Sequence, residues 1–97
     1  MTPRFFLVCS DPHPLVEEGF QYALLTDGVF YAPAVFSSHY IPDHVLIQRH
    51  VVIGVRSFRV WPYSNDTRAG ITLLDVFAAG IVAPAPPHRL TALRWQL

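Results

Sequence analysis

The sequence predicts an α+β domain: a small antiparallel β-sheet with one or two short helices packed on one face. Three observations carry this expectation. Short apolar runs rich in β-branched and aromatic residues recur along the chain, the tight-turn dipeptide Asp27-Gly28 joins two of them, and one run, residues 73–79, is punctuated like a helix. A chain of 97 residues holds one core, so residues 1–97 read as a single globular domain.

Residues 5–9 have the length of a strand and run into Ser10, Asp11, Pro12, His13 and Pro14, whose chemistry favours a turn. Residues 20–25 and 29–32 flank Asp27-Gly28 and read as a β-hairpin. After a loop at Ser37-Ser38, residues 44–53 are rich in β-branched side chains and continue through Gly54 to Trp61. That is too long for one ordinary strand, so a bend or bulge is expected near Gly54, and a turn at residues 62–66. The helix is expected at residues 73–79, with Thr72 as N-cap, Asp75 at the third helical position and Gly80 as the stop. Residues 83–87, with three prolines, read as a polyproline-like connection. Residues 89–97 fit a helical face and a strand face alike, with a lean to strand.

Hydrophobic residues make up 52% of the chain and charged residues 14%, which excludes general disorder and leaves little surface charge. Seven arginines balance seven acids, so there is no broad field to draw in phosphate backbones and generic nucleic-acid binding is not expected. A near-zero net charge on an apolar chain favours self-association, which points to a homo-oligomer or a protein partner. The apolar run near the N-terminus is too short for a signal-peptide core or a membrane span, so the expectation is an intracellular, cytoplasmic protein with no membrane partner. No cofactor is implied.

Five histidines invite a metal reading, and His39, His44 and His50 lie with Asp43 in one segment. Their spacing matches no ligand motif, so they read first as surface or loop residues. Cys9 with Asp11 and His13 has the composition of an activated thiol, although a small buried strand residue explains Cys9 equally. Glu17 and Glu18 are adjacent, and on an extended segment their carboxylates point to opposite faces rather than forming an acid and base pair. Phosphate loops, nucleophile elbows and dinucleotide fingerprints are absent from the sequence, and the reading leans away from an enzyme. Arg56, Phe58, Arg59, Trp61 and Tyr63 are the candidate partner-binding residues, since Arg and aromatic side chains anchor protein interfaces.

The run Ala32-Pro33-Ala34-Val35, the strand at 45–53, Phe58-Arg59-Val60-Trp61-Pro62, and Gly70-Ile71-Thr72-Leu73-Leu74-Asp75-Val76 opening a short helix together resemble an uncharacterised domain family common in basidiomycete fungi. The likeness covers about half the chain by motif and implies no activity or site residue. The leading expectation is therefore a protein-interaction domain that self-associates. One alternative is a small-ligand-binding protein or enzyme with a pocket of dispersed aromatic and His residues. Another is an auxiliary inhibitor or modulator of a larger partner.

Overall fold

The computed structural model describes residues 2–62, 68–82 and 91–94, with Val82 described by its backbone alone. The described residues form seven strands and no helix: β1 (Arg4–Val8), β2 (His13–Pro14), β3 (Phe20–Thr26), β4 (Phe30–Ser37), β5 (Val51–Pro62), β6 (Ala69–Val82) and β7 (Thr91–Ala92). The expected α+β class is thus replaced by an all-strand mixed sheet.

Five of the strands close into a ring. β1 pairs antiparallel with β3 and with β5, β3 antiparallel with β4, β5 antiparallel with β6, and β4 parallel with β6. Taking these five strands in chain order, the circuit runs first, second, third, fifth, fourth and back to the first, with the third and fifth parallel. This is the topology of an OB barrel, a five-stranded Greek-key barrel that is open at one seam. Here the seam lies between β4 and β6, which share only the register pairs Ala34↔Ile71 and Val35↔Thr72. The C-terminal strand fills the rest of it: the Leu93 N–H donates to the Tyr31 carbonyl, and the Leu93 carbonyl accepts from the Ala69 N–H, both at 2.9 Å.

Closure explains where the apolar residues went. Alternate residues of the ring strands point inward, so Val8, Ala23, Leu25, Ala34, Ile53, Val55, Ile71 and Leu73 meet in the barrel as one core. Each fully buried Leu, Ile or Val contributes about 1.5–3 kcal/mol relative to exposure. One barrel end is plugged by the segment between β4 and β5, from which Val45 and Ile47 are buried in the same core. That corrects the sequence reading of residues 44–50 as strand: β5 begins at Val51, and the Val45 N–H donates to the Pro42 carbonyl in a turn. His50 enters β5 with φ of 75°, its N–H donating to the Val8 carbonyl at 2.8 Å.

The helix expected at residues 73–79 is strand throughout, inside the fourteen-residue β6. Seven residues with a cap and a stop nucleate a helix poorly by themselves, whereas β6 has the long partner β5, to which it is paired from Ala69 to Val82. The local signals serve other ends. Asp75 faces Arg56 across the strands at 3.4 Å instead of capping, and Gly80, with φ of 70°, lies in a bulge, because Ala79 and Gly80 are extra residues between the pairs Val52↔Ile81 and Ile53↔Ala78. The irregularity expected near Gly54 is present as this shift and two more, between Val55 and Ser57 and between Ser57 and Phe58.

The hairpin at β3 and β4 forms as the sequence implies, with Thr26 opposite Tyr31. Its turn is held by the Asp27 carboxylate, which accepts from the Val29 and Phe30 N–H groups at 2.9 and 2.8 Å, and Gly28 supplies the positive φ, 98°. The expected turn at residues 10–14 proves to be an interruption of one long strand. The Ser10 hydroxyl accepts from the Leu24 N–H at 2.9 Å, and beyond it β2 rejoins β3 at His13↔Tyr22. Thr91 and Ala92 are strand, as the sequence leaned; residues 83–87, 63–66 and 95–97 lie outside the described residues.

Candidate functional site

The outer wall of the barrel over β3, β4, β6 and β5 carries the strongest grouping of recognition side chains. Because Ala23, Leu25, Ala34 and Ile71 point inward, their neighbours point out. One register row reads His13, Tyr22, Val35, Thr72 and Arg59, each paired with the next across adjacent strands. The neighbouring row holds Leu24 opposite Pro33, and Gly70 opposite Trp61. Tyr22 is 39% exposed and stacks at a tilt on His13, ring centres 5.6 Å apart. Arg59 is exposed.

Trp61 is locked in place. Its indole N–H donates to the Thr72 hydroxyl at 2.9 Å, and its ring lies over Gly70 so closely that a Cβ there would come within 2.7 Å of the ring. Gly70 is therefore required by the close approach of an aromatic plane. The result is a rigid aromatic ledge beside a cationic side chain, suited to a partner's apolar or aromatic group.

The structure divides the residues singled out from sequence. Arg59 and Trp61 share this outer wall. Phe58 turns inward, edge-on to Phe6 at 6.1 Å, because the bulge at Arg56 reverses the alternation of β5. Arg56 joins a different exterior cluster, its guanidinium 4.1 Å over the Phe77 ring, which in turn meets Phe5 edge-on across Gly54. Tyr63 lies outside the described residues. The five residues thus do not form one surface, while Tyr22, Val35 and Pro33, which belong to it, were missed. The alternation of β3 and β4 was legible, but which face closes inward was not.

The remaining candidates stay apart. His39 and His44 are exposed, His50 is half-buried, and no three His, Cys, Asp or Glu side chains group in a way that could hold a metal among the described residues. Cys9 points its thiol at the Leu7 carbonyl, while the Asp11 carboxylate accepts from the Arg49 N–H and His13 lies on Tyr22, so the two candidate partners are engaged elsewhere. Burial raises the Cys9 pKa, the opposite of activation. Glu17 and Glu18 are exposed in the loop between β2 and β3.

No protein-family model matches the chain, and no curated protein does. No helix among the described residues is long and apolar enough to cross a membrane.

Proposed function

We propose that this chain is a non-catalytic, intracellular protein-interaction domain that self-associates through the outer wall formed by β3, β4, β6 and β5. The observation that carries the reading is the paired row Tyr22, Val35, Thr72 and Arg59 beside the fixed indole of Trp61, a wall of apolar and aromatic side chains with the exposed Arg59 on it. Such a composition is that of an interface core with a charged rim. The chain's zero net charge leaves no repulsion to oppose contact between copies.

Sedimentation velocity across a concentration series tests it, with wild type beside Tyr22→Glu. The expected result is a dimer that the substitution converts to monomer, since a carboxylate placed on the wall is left buried and unpaired on association. A wild-type chain that stays monomeric at every concentration overturns self-association.

A second reading has its own support. The corresponding wall of OB barrels takes oligonucleotides in other proteins, and Tyr22 and Trp61 offer planes on which bases stack. The neutral charge of the chain opposes this reading, because backbone phosphates are held by basic side chains. Titration of a Trp95→Phe chain, whose single indole is Trp61, with a fifteen-nucleotide oligo-dT separates the two: saturable quenching that weakens with salt favours the oligonucleotide.

A further inference from the structure

The barrel has one plugged end and one hollow end. At the end opposite Val45 and Ile47 there is a cavity of about 490 Å³, within the span of small-molecule sites. Its apolar lining includes Phe6, Leu25, Phe58, Ile71 and Leu93, and Arg4 and Asp27 lie at its margin. None of these apolar residues belongs to the outer wall described above. Leu25 and Ile71, 1% and 2% exposed, belong to the core itself, while Phe5 and Phe30, which also line the cavity, are 53% and 41% exposed.

The two charges at the margin are not equivalent. The Asp27 carboxylate is engaged by the Val29 and Phe30 N–H groups of its own turn. Arg4 has no carboxylate within ion-pair distance among the described residues; its guanidinium lies 5.7 Å from the centre of the Phe58 ring, which presents it beside the cavity. An arginine placed this way binds a carboxylate through two parallel N–H donors.

We propose that the hollow end of the barrel is a binding site for a small amphipathic monocarboxylate, with the aromatic or branched apolar body inside the cavity and the carboxylate on Arg4. The site is separate from the outer wall and stands whether or not that wall is an interface. No bond is made or broken.

Naphthalene-2-carboxylate is the probe, titrated into the full chain by calorimetry and by amide chemical-shift mapping, with its methyl ester and Arg4→Gln as comparisons. Arg4 is exposed, so the variant tests the contact without removing core. The expected result is saturable binding with shifts confined to the cavity lining, including Arg4, Phe6, Leu25, Phe58, Ile71 and Leu93. Arg4→Gln is expected to weaken carboxylate binding about tenfold, the scale of one charge-assisted pair, while the ester binds both proteins alike. No saturable binding, shifts centred on Tyr22 and Val35, or equal affinity of acid and ester for the wild type each overturn the proposal.

Discussion

Replacing Gly70 by Ala isolates the device that fixes Trp61. A Cβ at position 70 would lie 2.7 Å from both Cη2 and Cζ2 of the indole, against about 3.5–4.0 Å for carbon atoms in comfortable contact, so the ring must withdraw by about 1 Å. That movement breaks the 2.9 Å bond from the indole N–H to the Thr72 hydroxyl, worth about 1 kcal/mol, and forfeits ring contact of about the same size. Ala in a strand recovers about 0.5–1 kcal/mol over Gly, which leaves a net loss of about 1–1.5 kcal/mol. Urea unfolding followed by circular dichroism measures it, and the decisive comparison is the same substitution in a Trp61→Ala background. With no ring to displace, Gly70→Ala should there be neutral or stabilising, a coupling of about 2 kcal/mol between the two positions. In a Trp95→Phe background, where Trp61 is the single indole, its emission should shift to the red as the ring leaves the wall. Equal costs in both backgrounds, or an unchanged spectrum, would refute the claim that Gly70 exists to seat Trp61.

Three further outcomes follow from burial and backbone geometry. Leu73→Ala should cost about 2–5 kcal/mol and Leu74→Ala less than about 1, because in a strand one is buried and the other 39% exposed; comparable costs in denaturant unfolding would contradict the strand reading of β6. His50 sits at φ of 75°, so His50→Gly should hold or raise the melting temperature, while His50→Val should lower stability by about 1–2 kcal/mol, the strain of a β-branched residue in that region. Burial raises the Cys9 pKa, so at pH 8 a smaller fraction is thiolate than in an exposed cysteine, and iodoacetamide should label it more slowly in the folded chain than in urea; equal rates would show an exposed thiol.

The tendency to strand was written in the sequence wherever one local pattern was enough. Residues 5–8 and the hairpin about Asp27-Gly28 follow from run length and turn chemistry, and the irregularity near Gly54 follows from a strand too long to stay regular. Thr72, Asp75 and Gly80 misled because their side-chain and backbone chemistry suits more than one structure. A hydroxyl that caps a helix also receives an indole N–H, a carboxylate that completes a capping box also meets Arg56 across a ladder, and a glycine that stops a helix also makes a bulge. Which use prevails is decided by β5, a partner whose contact is a property of the whole chain.

The candidate surface divides the same way. Sequence placed an arginine and a tryptophan at 59 and 61, two residues apart and hence on one side of a strand. Only ring closure decided that this side faces out, that the Arg56 bulge sends Phe58 inward, and that Tyr22 and Val35, remote in the chain, complete the wall. Local pattern determines that a residue alternates; burial of the opposite face inside a closed barrel determines which of the two faces remains for recognition, because closing the ring removes one set of side chains from water and leaves the other there.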